Sequence, residues 1–350
     1  MPPPFLCHVL DDEKKQFVLS VVKRAFGMPE HVPHVPVDNP VSLDRRNMGH
    51  LANENYTVAF KADGIRYLLV LCMYKARPLA AMVNRAGHVF TLYVAAQASH
   101  FYNCSVFDGE LCEVTGKHEY DFLVFNALID QGAMLCKKPY HTRLLHVENN
   151  FSCEPVAVKD RPRMQSYIFA RSRRLHFVRK EYDMAKNMRA LQHNIVPRYK
   201  IDGFIFTPLD RGVEPGRDEF LLKHKTDNPI DVLLRIEAEA VNVFVDDNGL
   251  LVSLSSTIGM PVHFKPLESE TFKSIYEGAV VYATEFGQAA TFEHVVEMEC
   301  RVRDSGLHLS FLRLRPDKDG PNNAVTVQRT LRTIRDDIQL DEIYAILSQK

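Results

Sequence analysis

The chain has 350 residues, 46% of them hydrophobic and 25% charged, with 43 lysines and arginines against 44 aspartates and glutamates. That make-up belongs to a globular protein long enough for two ordinary domains and excludes disorder as the default state. The formal net charge of −1 excludes a whole-surface nucleic-acid binder, so any contact with a polyanion must be local.

Met1-Pro2-Pro3-Pro4 has neither the basic end nor the apolar stretch of a secretion signal, and no apolar run is long enough to cross a bilayer, so no membrane association is expected. Asp11–Gly27 reads as the first helix: Asp11 and Asp12 suit its start, Phe17, Val18, Val21, Val22 and Phe26 form its apolar stripe, and Gly27 stops it. His31-Val32-Pro33-His34-Val35-Pro36 follows as an extended connector. From Tyr56 to about Pro208 the apolar runs are short and rich in Val, Ile, Phe and Tyr: Tyr67–Met73, Ala80–Val83, His88–Val94, Val106–Val114, Phe122–Leu128 and Phe204–Thr207. This predicts an antiparallel sheet protein with occasional helices such as Met184–His193. From Ile230 to Leu314 a second strand-like series (Val232–Ile236, Val241–Val245, Leu250–Leu254, Val280–Thr284, Val295–Arg303, Leu307–Leu312) suits a small barrel of the oligonucleotide/oligosaccharide-binding type. In Ala324–Lys350, Val327, Leu331, Ile334 and Ile338, then Leu340, Ile343 and Leu347, fall on helical stripes that would pack on the barrel. The seven cysteines show no Cys-x-x-Cys spacing and read as free thiols in a reducing compartment.

The chemistry gathers around Lys61-Ala62-Asp63-Gly64-Ile65-Arg66, set between the apolar runs Tyr56–Phe60 and Tyr67–Met73. A lysine so placed can act as an amine nucleophile only once its proton is lost, which desolvation or neighbouring cations favour. Lys223-His224-Lys225 ends another apolar run, and the two-residue period of a strand turns Lys223 and Lys225 to one face, where they could clamp a phosphate or simply edge the solvent. Asp108-Gly109-Glu110 and Asp202-Gly203 each put an acid beside a turn glycine at a strand start. Each could cap its own backbone; with Lys61 they could instead ligate Mg²⁺ or Mn²⁺ and contact ribose hydroxyls. Between Lys159 and Arg189, Arg171, Arg173, Arg174, Arg179 and Lys180 alternate with Tyr167, Phe169, Phe177 and Tyr182, which fits either an RNA-backbone contact or a solvated strand edge.

From about Pro40 to Asn322 these motifs, in this order, resemble the guanylyltransferase component of mRNA capping enzymes, in the covalent nucleotidyltransferase superfamily shared with ATP-dependent DNA and RNA ligases. The matching segments are Pro40–Arg45, Lys61–Arg66, Val83-Asn84-Arg85, Asp108–Glu110, Phe122–Phe125, Phe177–Lys180, Asp202–Ile205, Leu222–Lys225 and Arg313–Asn322. The last, Arg-x-Arg-x-Asp-Lys-x-x-Pro-Asn, is of the capping type; Lys-x-Asp-Gly is common to the superfamily. The resemblance implies an α+β fold: a nucleotidyltransferase domain of antiparallel sheets with flanking helices over 1–229, an OB-fold over 230–322 and a helical tail over 323–350, which the first domain could receive.

It also implies an activity. Lys61 would take GMP from GTP as a lysyl-N–GMP intermediate and pass it to the 5′-diphosphate end of RNA. Arg66 and Glu110 would hold the ribose, Arg85 the phosphates, Phe125 would stack on guanine and Lys180 would meet the guanine oxygen. Lys223 and Lys225 would steady the α-phosphate, Asp202 with Glu110 would hold the metal, and Arg313, Asp317 and Lys318 would orient pyrophosphate from the barrel domain. Asn126, Asn84 and His224 depart from the family's usual Asp, Asp and Trp. The alternatives are an ATP-dependent polynucleotide ligase and an inactive scaffold for RNA or polymerase. No methyltransferase or cysteine-phosphatase motif is present, so an RNA triphosphatase is expected on another chain or segment, with the RNA polymerase II machinery as partner in the nucleus, or in the cytoplasm for a viral protein.

Overall fold

Asp11 caps the first helix, its side chain accepting from the Lys14 amide at 3.1 Å, and Asp12–Ala25 buries Val18, Val21, Val22 and Ala25. The computed structural model describes the chain except for residues 1–2, 4, 10, 30–34, 36, 158–159, 161–163, 165, 226, 238–239, 265–271, 274–290, 317 and 350. Most of the His31–Pro36 connector, the expected strand Val280–Thr284 and Asp317 therefore lie outside the described residues. Two compact units emerge: residues 1–41, 47–224 and 341–350 form the first, and 42–46 with 225–340 form the second.

In the first unit, an eight-stranded sheet runs in the order Cys7–His8, Val89–Thr91, Arg77–Asn84, Ile65–Tyr74, Ser105–Glu113, Tyr120–Asp130, Ala133–Met134, and Leu175–Arg179 joins Tyr120–Asp130 in parallel. The uninterrupted apolar run at its centre is explained by cover on both faces. Leu68, Val70 and Cys72 enter one core with the first helix, while Tyr67, Leu69 and Leu71 enter another with Phe107, Phe122 and Phe177. A five-stranded sheet holds Asp183–Met184, Tyr56–Ala62, Ile201–Pro208, Gly216–His224 and Asp38–Ser42 in that order. The expected strand His88–Val94 is instead two, because the chain leaves the large sheet after Thr91 and Val94–Ala95 pairs with Phe169–Ala170. The expected helix Met184–His193 opens as a tight turn at Ala185–Asn187 before Met188–Asn194.

The second unit is built on six strands in the order Leu250–Ser253, Ala240–Asp247, Ile230–Glu237, Thr291–Arg303, Gly306–Leu314, Val262–Phe264, antiparallel except for the last pairing. Val232, Leu234, Val245, Val296 and Met298 make its core with Ala324, Val327 and Leu331 from helix Ala324–Asp336. That helix stops at Asp337, in the left-handed region at φ 41°. Residues from Asp341 onward belong to the first unit, where Tyr344 bonds Gln192 through its hydroxyl and lies 4.5 Å beneath the Arg189 guanidinium. The architecture is α+β, largely antiparallel. The cysteines are free thiols, five buried and Cys7 and Cys153 exposed. Among the described residues no helix is long and apolar enough to cross a membrane.

Candidate active site

Lys61 is the penultimate residue of strand Tyr56–Ala62 and pairs with Gly203, while Ala62 pairs with Ile201. Asp202 is thus an extra residue in its strand, a bulge, and Gly203 takes φ 144°, a backbone region that side chains rarely tolerate. The bulge brings the Asp202 carboxylate onto the lysine: Nζ is 2.8 Å from Oδ1 and 3.0 Å from Oδ2. Lys223 lies across from Ile205, which lies across from Ala59, so Lys223 shares the Lys61 face of this sheet. Lys225, just past the strand end, is half-buried and is the first residue of the second unit's long segment.

The Asp63-Gly64 turn presses closely on the neighbouring strand. A Cβ at Gly64 would lie 2.6 Å from both Cys112 Sγ and the Leu111 carbonyl oxygen, so only glycine lets the turn sit there. Arg66 follows, opposite Glu110. Its guanidinium donates to Asp108 (Nε to Oδ1 2.9 Å, Nη2 to Oδ2 2.5 Å) and to both the side chain and the carbonyl of Asp38. Burial alone would lower the Arg66 pKa, but Asp108 and Asp38 outweigh it and raise it. Burial raises the pKa of Asp108, with Arg66 pulling against it.

Phe125, on Tyr120–Asp130, is flanked by two cations, the Arg66 guanidinium 5.4 Å and the Lys180 ammonium 5.3 Å from its ring centre. Lys180 is pinned there because its amide donates to Val124 O at 2.8 Å in continuation of the parallel pairing. It is 6% exposed, and burial pushes its ammonium pKa below the ordinary lysine range; Glu110 opposes that, while Lys61 and Arg66 add to it.

These pieces enclose one cavity of about 220 Å³, lined by Lys61, Arg66, Glu110, Phe125 and Lys180 together with Asp38, Asn39, Pro40, Ala59, Asn126, Tyr140, Arg143, Ile205, Thr207 and Leu221. Five of the residues singled out from sequence therefore meet in one wall, with Asp202 bonded to one of them. Arg85 is exposed in the turn after Arg77–Asn84 and does not line the cavity. In the second unit Arg313 is ion-paired with Glu297 at 2.5 Å, and Lys318 lies 4.0 Å from Asp231. Arg315 bonds the same two acids, and Asn322 exchanges bonds with the Asp231 backbone, so Arg315 and Asn322 are fastened at the start of strand Ile230–Glu237.

Sequence reasoning missed Asp38, Tyr140 and Arg143. Tyr140 donates to the Phe125 carbonyl at 2.9 Å. Arg143 is buried and donates to Asn126 Oδ1 (2.6 Å), Lys138 O (3.1 Å) and Arg211 O (3.1 Å), and its pKa is lowered by burial. Asp38 adjoins the Pro40–Arg45 motif, which is a signal; Arg143 has none, since two of its three partners, Asn126 and Arg211, come from other segments.

Among the described residues no group of three or more His, Cys, Asp and Glu side chains forms a protein-only metal cage. One or two carboxylates completed by substrate phosphates suffice for Mg²⁺, and Asp202 beside Lys61 with Glu110 in the cavity wall is a donor set of that kind.

Residues 6–227 match the sequence model of the family described as mRNA capping enzyme, catalytic domain. The chain is 25% identical over 331 residues to the mRNA-capping enzyme subunit alpha of Schizosaccharomyces pombe, covering 88% of this chain and 78% of that one. It is 25% identical over 354 residues to the subunit alpha of Neurospora crassa, covering 88% and 83%. A solved mycobacterial DNA ligase D superposes over 81% of this chain and 95% of its own, at 15% identity and a TM-score of 0.42, too loosely to bear on the chemistry.

Proposed function

The chain belongs to the family of mRNA capping enzyme catalytic domains, and from that premise we propose that it is a GTP:RNA guanylyltransferase working through Lys61. The observation that supports the assignment of the nucleophile is that Lys61, held 2.8 Å from Asp202, lines one cavity with the doubly flanked Phe125 ring. A lysine ammonium cannot attack; it must first give up a proton, and Asp202 is the acceptor within reach. The neutral Nζ then bonds to the α-phosphorus of GTP as the bond to the β-phosphate oxygen breaks and pyrophosphate leaves. In the second step a terminal oxygen of a 5′-diphosphate RNA attacks that phosphorus, the P–N bond breaks, and Nζ regains a proton. Splitting the transfer in two lowers each barrier.

Phe125 is assigned to stack on the base, with Lys180 donating to a base oxygen and Glu110 accepting from the ribose. Lys223, on the Lys61 face of the sheet, is assigned to the α-phosphate, where fixed positive charge matters most as negative charge builds. Because Arg66 is committed to Asp108 and Asp38, its contribution is to hold the wall and lend charge beside the ring. Asp202 and Glu110 would hold Mg²⁺ or Mn²⁺, which when bound supplies charge neutralisation at the phosphates. The partners this reading implies are RNA already trimmed to a 5′-diphosphate by a triphosphatase, and the nuclear transcription machinery that delivers it.

The test is to incubate wild type and Lys61→Ala with labelled GTP or ATP and a divalent cation. A covalent adduct with GTP alone, absent from the variant, is expected. An adduct formed from ATP and not GTP would move the assignment to a ligase, and no adduct at all would leave an inactive scaffold.

A further inference from the structure

We propose that the single-stranded body of the RNA substrate lies along a basic rim of the first unit that begins beside the nucleophile and ends at Tyr93; this rests on the guanylyltransferase reading and adds the path of its second substrate. Four backbone hydrogen bonds stitch the ends of successive strands into that rim. Asp63, two residues past Lys61, donates to Lys200 O at 2.9 Å, and Thr115 donates to Arg198 O at 2.8 Å. Tyr120 donates to Arg174 O at 2.8 Å, and Arg171 to Tyr93 O at 2.9 Å. These bonds tie strand ends together in steps, from the residue two past Lys61 to Tyr93.

Its charge is uneven. Near Lys61 the cations are already matched: Lys200 pairs with Asp63 at 3.1 Å, and Arg198 sits 3.5 Å from Asp121 and 3.9 Å from Glu119. Further out, Arg171, Arg173 and Arg174 are exposed, and among the described residues none has a carboxylate within ion-pair distance. In a chain with net charge −1, three guanidinium groups left unneutralised side by side are a local feature and not the by-product of a basic protein. Beside them Tyr93 is 83% exposed, over a cleft of about 760 Å³ that Arg171 and Ser172 also line.

Unpaired arginines next to a solvent-facing aromatic ring are what a single-stranded nucleic acid needs: phosphates meet the cations and a base stacks on the ring. An acidic protein segment would use the arginines but not the ring. The position of the rim also favours RNA, because the RNA 5′ end must reach Lys61 and the rim departs from there.

The experiment uses the full chain carrying Arg171→Ala, Arg173→Ala and Arg174→Ala together, and a second variant, Tyr93→Ala. Lysyl–GMP formation from GTP is expected to match wild type in both, which also shows that both fold. GMP transfer from the adduct to a 5′-diphosphate trinucleotide should likewise be unchanged. For a strand of about 15 nucleotides, the triple variant should show a KM raised about tenfold or more, and Tyr93→Ala a rise of about tenfold. The log–log salt slope of binding that strand should fall by about 2, at roughly 0.7 per single-strand phosphate contact. A wild-type salt slope and KM for the longer RNA in the triple variant would overturn the rim, as would equal losses on the trinucleotide and the longer strand. Loss of the adduct in the triple variant would overturn it too, by placing these arginines in support of the nucleotide cavity. If wild type itself forms no adduct, the guanylyltransferase reading fails, and the salt slope of RNA binding still decides the rim on its own.

Discussion

Arg66→Met tests the wall on which the cavity leans. Arg66 lies between Asp108, which is fully buried, and Asp38, which is 9% exposed, with ion-pair contacts to both. Methionine keeps much of the volume but leaves two carboxylates in the interior without their cation. Breaking a buried pair from one side costs about 3–5 kcal/mol, because the remaining charge is desolvated and unpaired. At about 2–4 °C per kcal/mol for a unit of this size, the expected fall in Tm is roughly 6–20 °C. The loss should depend on pH. Burial already holds the Asp108 pKa above its ordinary value, against the pull of Arg66, and removing Arg66 raises it further. A carboxyl whose folded pKa exceeds its unfolded one favours the folded state below the unfolded pKa, and that advantage disappears as pH rises through the folded pKa. The variant's deficit should therefore be fullest near neutrality and shrink on acidification toward the unfolded carboxyl range of about 4. Urea unfolding of wild type and variant at about pH 7.5 and about pH 5.5 measures this, and adding Asp108→Asn should recover part of the loss at the higher pH only. A deficit under about 1 kcal/mol, or one equal at both pH values, would refute the reasoning.

Gly64→Ala should destabilise the first unit by about 1–3 kcal/mol and abolish adduct formation, since its Cβ would meet Cys112 Sγ and a backbone oxygen at 2.6 Å; an active, equally stable variant would show the turn can move aside. Phe125→Leu should raise the KM for GTP about tenfold through lost stacking while sparing stability more than activity, and steady-state kinetics beside a thermal melt separate the two. Because burial lowers the Lys180 pKa, wild-type GTP affinity should decline as pH rises through that lowered value, at a pH where an ordinary lysine is still charged. Lys180→Arg should remove the decline; a wild-type affinity flat from neutrality to about pH 10 would show that its charge is not used.

How much of this was readable in the chain differs from residue to residue. The run Tyr67–Cys72 is apolar throughout and read as a strand; that its alternating members feed two cores shows why no polar face interrupts it. Lys61 and Asp202 stand out as candidates because each sits in a short motif whose geometry is local, a strand end and a strand-start glycine, whereas Phe125 was singled out only by the family resemblance. Arg143 could not be found that way. It is one arginine in helix Tyr140–Asn150, and it matters only because Asn126, Lys138 and Arg211, up to 68 residues away, converge on it. Arg66 was legible as a candidate, while its partner Asp38 was signalled only by its place beside the Pro40–Arg45 motif, since 28 residues separate the pair and no spacing rule links them. The break in His88–Val94 was hidden for a related reason: which sheet claims a strand is decided by Phe169–Ala170, far along the chain.

The route of the polypeptide bears on how this protein can be taken apart. Because residues 42–46 belong to one unit and 341–350 to the other, no single cut frees either one whole. A fragment ending at His224 would carry every lining residue of the cavity yet lack the terminal helix whose Tyr344 ring lies against the Arg189 guanidinium and bonds Gln192. Dissection by truncation would thus report on a wounded catalytic half, and separate expression calls for a circularly rearranged gene that returns the last ten residues to their seat.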